Sequence, residues 1–233
     1  MLRFYSERTS LVKGGGNRKT VEYNSSMPAD LDFEVNARAP LLIVISGPSG
    51  AGKDSVMQRM QQRGLKFHFV TTATTRPRRP NEVHGKDYLF ISHEEFARMI
   101  AAEEFMEHAL VYGDYKGVPK EQVRKALNSG HDAVMRLDVQ GAEAVRRLVP
   151  DALLIFITTD SEEDLINRLK ERSTETPEEL AIRIATTRQE LKRVDAFDYV
   201  IFNHEDQLDH TVDVVQAIIE AEHHRVRPRK VQL

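Results

Sequence analysis

Residues 41–60 read LLIVISGPSGAGKDSVMQRM, and the order of properties within them decides the fold. Five apolar residues, Leu41 to Ile45, lead into Gly47, Pro48, Ser49, Gly50, Ala51, Gly52 and Lys53, and a segment free of helix breakers follows. A strand that enters G-x-x-x-x-G-K and leaves as a helix gathers backbone N–H groups and a helix N-terminus around one point, where an anion is held. Gly47, Gly50 and Gly52 let the backbone curl, and Lys53 adds a point charge on terminal phosphates. The last motif position ordinarily carries a serine or threonine hydroxyl that ligates Mg²⁺, yet here it is Asp54. Ser55 is no substitute, because one step along a helix rotates a side chain by ~100°. Two readings of Asp54 stand. It faces Mg²⁺ directly or through water, with Arg136 balancing the added charge, or it only complements the helix dipole from the first turn, worth ~0.3–1 kcal/mol.

Working outward, four apolar runs, Leu41 to Ile45, Ala133 to Leu137, Leu153 to Ile157 and Tyr199 to Phe202, lack in/out alternation and predict buried parallel strands. Helical periods lie between them. Phe96, Met99 and Ile100 share a face, as do Leu165, Ile166 and Leu169, and Leu208, Val212, Val215 and Ile219 repeat over three turns. Strands alternating with helices predict an α/β fold with a mainly parallel sheet flanked by helices, whose ligands gather at the carboxyl ends of the strands. Phe67 to Tyr115 breaks the pattern with the β-prone segments FHFVTTATT, YLFIS and EHALVY. This region predicts an inserted substrate-binding subdomain, bounded at residues 67 and 118.

Composition narrows the function classes. A chain of 233 residues, 40% hydrophobic and 30% charged, is ordinary for one globular domain with appendages. A net charge of −3 and a pI near 6.3 argue against nucleic-acid binding by bulk charge. With no cysteine, disulfides, thiolate metal sites and cysteine nucleophiles are excluded. The longest apolar run is far below the ~18 residues of a membrane span. Residues 1–38 show no sustained hydrophobic period and predict a flexible extension. Within residues 1–20, five basic residues (Arg3, Arg8, Lys13, Arg18, Lys19) stand against one acid, Glu7, a bias shared with organellar transit peptides. The basic end RVRPRKVQL, residues 225–233, predicts a solvated tail over 226–233.

Two further clusters carry charge. TTATTRPRRPNEVHGKDY, residues 71–88, is either a solvated basic loop or a phosphate clamp in which guanidinium forks match phosphate oxygens and Tyr88 adds a neutral donor. LKERSTETPEELAIRI places Arg168, Arg172 and Arg183 on or beside a turn-prone segment between two helices, a pattern suited to a lid over a transferring phosphate at residues 168–178.

ISGPSGAGK, TTRPRRPNEVHGKDY, LDVQGA, RLKERSTET and VIFN occur in the order found in guanylate kinases, the ATP:GMP phosphotransferases, and the resemblance runs from about Ala39 to Arg225. GKD in the loop, ATTRP, and YKGVPK at 115–120 resemble the plant and algal organellar branch of that family. The resemblance implies a P-loop nucleoside monophosphate kinase fold over 39–225, ATP and GMP as partners, Mg²⁺ with the ATP, neither nucleic acid nor membrane, and a monomer or weak homo-oligomer. It implies an enzyme of purine metabolism in a chloroplast or mitochondrion, the cytoplasm being the alternative, with dGMP as a further acceptor.

Residue by residue, Gly47 to Ser55 would hold ATP phosphates, with Asn203 and His204 bordering adenine and Arg168, in the lid cluster, also on the ATP side. Arg76, Arg79 and Tyr88 fall where the family holds the GMP phosphate, and Lys116 stands where a second tyrosine is usual. Glu107 would accept hydrogen bonds from guanine N1–H and the 2-amino group, assisted by Thr72 and Asp138. Lys53, Arg76, Arg172 and Arg183 match catalytic cations. The chain departs from the common pattern at Asp54, Lys116, Val118, Ser173 and Arg136, the last replacing an aspartate of D-x-D, so that its family role does not transfer. Kinase-like scaffold modules of this fold bind peptides after losing the loop lysine and the arginines. All of those residues are present here.

Overall fold

The computed structural model describes residues 39–80, 82–111, 113–171 and 176–233. The readings placed on residues 1–38, on Arg172 and on Ser173 lie outside these.

The apolar runs form a parallel sheet. β1 (Leu42–Ser46) is central, flanked by β7 (Ala133–Arg136) and β8 (Leu153–Thr158), with β2 (His68–Phe69) beyond β7 and β9 (Tyr199–Phe202) beyond β8. Every residue of β1 is buried, because the pleat sends alternate side chains to opposite faces and helices cover both. Ile43 and Ile45 pack with Val56 and Met60 of α1 (Lys53–Gln62), Leu165 of α5 (Glu162–Glu171), and Val212, Val215 and Ile219 of α7 (Leu208–His223). Leu42 and Val44 face Val123 and Ala126 of α3 (Lys120–Asn128) and Ala142 and Val145 of α4 (Val139–Leu148). Each buried aliphatic side chain contributes about 1.5–3 kcal/mol, so β1 is the element both layers grip.

The inserted subdomain is a second sheet, ordered β4 (Leu89–Phe90), β3 (Ala73–Thr74), β6 (Asp114–Pro119), β5 (Phe105–Val111), covered by α2 (His93–Ala101). Ser92 caps α2 by accepting a hydrogen bond from the Glu95 N–H, and Phe96 stacks between Phe105 and Tyr115. α6 (Pro177–Leu191) completes the described elements between α5 and β9, apart from a short 3₁₀ turn at Val194–Ala196.

The structure corrects three sequence readings. The segment FHFVTTATT is divided between the sheets: His68–Phe69 pairs with Ala133–Val134 of β7, so the insertion leaves the main sheet only after Phe69. β9 is an edge strand, with Val200 45% and Phe202 47% exposed, so its apolar run does not report burial on both faces. The C-terminal segment is anchored. Arg229 is 8% exposed, donates to Glu222 Oε2 at 2.7 Å and to the Ala152 carbonyl at 3.2 Å, and Val231 packs on the α3–α4 core. Net basicity hid this, since one buried carboxylate on α7 is enough to recruit one arginine.

Burial tends to raise the Glu222 carboxyl, but hydrogen bonds from Arg229, Tyr199 and Arg225 outweigh it and hold the pKa at about 2. The lowered value means that its stabilisation is complete above the unfolded carboxylate range near 4.5 and is lost as pH falls toward 2. Arg229→Ala should destabilise the protein by about 3 kcal/mol at neutral pH, at the low end for a broken buried pair because Tyr199 and Arg225 remain. Denaturant unfolding checks this, and the difference between wild type and variant should shrink between pH 4.5 and pH 2. An unchanged midpoint at neutral pH would show that the tail carries no stability.

Candidate active site

The loop after β1 is shaped by close packing. At Gly47 (φ 135°) an added Cβ would lie 2.0 Å from the carbonyl oxygen of Ile157 in β8, and at Gly52 (φ 88°) it would lie 2.3 Å from Asn203 Nδ2. No side chain fits at either place. Lys53 arcs back over the loop, donating to the carbonyls of Gly47 at 2.6 Å and Pro48 at 2.8 Å. Asn203, buried after β9, donates to the Ala51 carbonyl at 3.0 Å and accepts from Thr211 Oγ1 at 3.0 Å. It braces the loop from α7 while also lining a recess of about 310 Å³ with Gly50, Gly52, Ser55, Arg168 and His204. Arg168 donates to the Asn203 carbonyl at 3.0 Å, and Asp160 sets the His204 ring at 2.5 Å. Asn203 and His204, expected beside adenine, therefore share one recess with Arg168.

On the other side of the loop lies a cavity of about 550 Å³ whose walls come from four parts of the chain. The loop gives Ser49, Gly50, Gly52, Lys53 and Asp54; the small sheet and its connections give Thr72, Arg79, Tyr88, Glu107, Ala109 and Lys116; the end of β7 gives Arg136, Leu137 and Asp138; α6 gives Arg183. Asp138 is fixed as the N-cap of α4, accepting from the Gly141 N–H at 2.7 Å. Glu107 opposite it is pushed up to about 7, first by burial and then by the Asp138 charge.

Arg136, read from the sequence as a balance to the Asp54 charge, forms an ion pair with it, and Arg136 Nη2 also donates to the Tyr88 hydroxyl at 3.1 Å. Arg76 lies along its own loop: it donates to Glu82 Oε1 at 2.7 Å and to the Pro77 carbonyl at 2.7 Å, with its guanidinium over the Tyr88 and Phe90 rings. Val118, at one of the unusual positions, is buried in the α3–α4 core.

Two acids escape a sequence reading. Glu82 accepts from Arg76 and, at 2.8 Å, from the Arg79 N–H; these bonds, the Arg76 one first, hold it below the usual carboxylate range. An acid inside an arginine-rich run was the available signal. Glu190 on α6 accepts from the Ser49 N–H at 3.4 Å; burial raises its carboxyl against the opposing charge of Lys53. Nothing in the pattern of α6 marks that residue.

A phosphate loop that shares one cavity with a basic clamp, a buried acid and an arginine from a helix pair defines a P-loop nucleoside monophosphate kinase. The chain belongs to the guanylate kinase family, whose model, described as "Guanylate kinase", matches residues 39–222. It is 49% identical over 195 residues to "Guanylate kinase 2, chloroplastic/mitochondrial" of Oryza sativa subsp. japonica, covering 83% of this chain and 68% of that one. It is 45% identical over 190 residues to a guanylate kinase of Caldanaerobacter subterraneus, covering 82% and 91%. The solved guanylate kinase of Anaplasma phagocytophilum superimposes with a TM-score of 0.65 at 28% identity, covering 81% of this chain and 89% of that one.

Proposed function

We infer that the protein transfers the γ-phosphoryl group of ATP to GMP, releasing ADP and GDP. The observation that carries this is the single cavity in which Lys53 and the loop face Glu107 across Arg79, Tyr88, Arg136 and Arg183. Glu107 reads the base: an ionised carboxylate accepts from N1–H and the 2-amino group of guanine, whereas adenine offers neither donor there, and sites built on such pairing discriminate by roughly 10⁴-fold. The same groups would hold dGMP.

A phosphate oxygen of GMP is already anionic, so its attack on the γ-phosphorus needs no general base. The obstacle is repulsion between two polyanions. Lys53, Arg76, Arg79, Arg172 and Arg183 neutralise it, hold the oxygens in line and stabilise charge on the group in transit. Lys116 serves the GMP phosphate as a point charge in place of an oriented hydroxyl, and residues 168–178 act as the lid that excludes water. The non-catalytic module finds no support, since the cavity keeps Lys53, Arg79 and Arg183 and the relatives are named as kinases.

Mg²⁺ accompanies ATP in such chemistry, neutralising charge on the phosphates. It is commonly held by one or two carboxylates together with phosphates and water. Among the described residues no cluster of three metal-binding side chains exists, which fits an ion carried in by the nucleotide. A carboxylate has two oxygens, so Asp54 can keep Arg136 on Oδ1 and serve a hydrated ion with the other. Residues 1–38 act as an organellar transit segment in this reading, supported by the basic, acid-poor bias of residues 1–20 and by the rice relative's name.

A coupled assay should show GMP preferred over AMP, CMP and UMP by roughly 10⁴-fold in kcat/KM. Glu107→Gln should lose about 10²-fold on GMP, and the wild-type KM for GMP should rise about tenfold per pH unit below pH 7 as Glu107 gains its proton. No turnover of GMP would defeat the activity, and equal use of AMP would defeat the role of Glu107. Across a Mg²⁺ titration, Asp54→Ala should need more metal for half-maximal rate than wild type or Asp54→Ser; indifference to both substitutions would remove Asp54 from the metal. Residues 1–40 fused to a fluorescent reporter should direct it to plastids or mitochondria, whereas a diffuse cytosolic signal would overturn the targeting role.

A further inference from the structure

Arg136 ends β7 at the carboxyl edge of the sheet, paired in register with Ile45, two residues before Gly47. Its side chain spans the distance between the two halves of the site: one guanidinium nitrogen meets Asp54 in the first turn of α1, and the other donates to Tyr88 Oη on the acceptor side. It lines the same cavity as Lys53, Arg79 and Arg183. A guanidinium carries five N–H donors in a planar fork, so these two contacts leave capacity for phosphate oxygens.

A purely structural purpose explains the pair poorly. The Arg136 and Asp54 side chains are 36% and 62% exposed, and ion pairs that accessible contribute little to stability. The same guanidinium lines a cavity that receives phosphate, where its full charge attracts each phosphate oxygen. What the pair offers is its place on the cavity wall, beside Lys53, Arg79 and Arg183. A lone carboxylate at position 54 would repel those anions. Tied to Arg136, it holds a cation that attracts them.

We propose that Arg136 is a catalytic residue that touches the phosphoryl group in transit between the donor and acceptor sites, and that Asp54 is its positioning residue. This rests on reading the cavity as the ATP and GMP site. In the step concerned, a GMP phosphate oxygen forms a bond to the γ-phosphorus while the bond from that phosphorus to the β–γ bridging oxygen breaks, its electron pair leaving on ADP; no proton moves. Arg136 stabilises the equatorial oxygens during the exchange and holds Tyr88 in place for the acceptor phosphate.

The test compares wild type, Arg136→Gln, Arg136→Lys and Asp54→Asn in kcat, both KM values and thermal midpoint. It also measures calorimetric affinity for ADP, for GMP, and for a bisubstrate probe in which adenosine and guanosine are joined by five phosphates. Arg136→Gln should lower kcat by about 10²-fold with an unchanged midpoint and little change in KM. Its affinity for the joined probe should fall by more than those for ADP and GMP separately. Arg136→Lys should recover part of kcat, and Asp54→Asn, assayed at saturating Mg²⁺, should lower kcat less than Arg136→Gln while leaving the KM for GMP unchanged. A kcat and a probe affinity of Arg136→Gln both within about threefold of wild type would overturn the proposal. Binding of the probe needs no turnover. A wild-type protein that holds it through Arg136 yet fails to phosphorylate GMP would overturn the activity and leave the Arg136 contact standing.

Discussion

The close approach of the loop backbone to β8 governs the rest of the site. Gly47 sits where any Cβ would fall on the carbonyl of Ile157, so the chain leaving β1 can turn tightly over the neighbouring strand only without a side chain. That turn directs α1, and α1 fixes Lys53 and Asp54. Asn203 closes the arrangement from the far side, tying Ala51 to Thr211 of α7 so that loop, sheet and C-terminal helix hold one geometry. β1 is buried on both faces, and a buried strand is a stiff base from which to aim a loop.

Charge is then distributed with the opposite logic on the two sides of the cavity. Around the phosphates, acids are used to hold cations in place: Glu82 keeps Arg76 and the Arg79 backbone together, and Asp54 keeps Arg136. Around the base, an acid is buried and set near a second one, so that burial first and then the Asp138 charge raise Glu107 to about 7. A carboxyl held there gains most from ligand N–H donors, because they relieve both its burial and its like-charged neighbour. Selectivity for the base and tolerance of polyanionic phosphate thus arise from one residue type in two environments.

Much of this was legible in the sequence where residues act through local pattern. The four apolar runs became strands, the face of Phe96, Met99 and Ile100 became α2, and the glycine spacing fixed the loop. Reading failed where the deciding partner is distant in the chain. His68–Phe69 join the main sheet because β7, more than sixty residues on, offers an edge, and Arg229 is buried because Glu222 and the Ala152 carbonyl wait for it. Glu190 reaches the loop from α6 with no periodicity to announce it. β6 carries Lys116 and Gly117 among its residues, so it lacks the apolar run by which strands are recognised, and its pairing with β5 and β3 makes it one all the same.

Position 54 shows how reading residues singly misleads. Taken alone, an aspartate in place of a hydroxyl at the end of a phosphate loop adds repulsion toward a triphosphate, roughly 3 kcal/mol per charge at ~5 Å and effective dielectric ~20. Taken alone, an arginine in place of an aspartate at the end of β7 removes a carboxylate from the same neighbourhood. The two departures are cofacial: α1 begins over the β1–β7 pair, so the side chains of Asp54 and Arg136 meet. The summed charge of the two positions is zero, whereas a hydroxyl with an aspartate carries −1, and the shift is toward a site that attracts phosphate with protein charge. The two residues therefore act as one electrostatic unit, and either one replaced by a neutral residue would leave an uncompensated charge facing the loop.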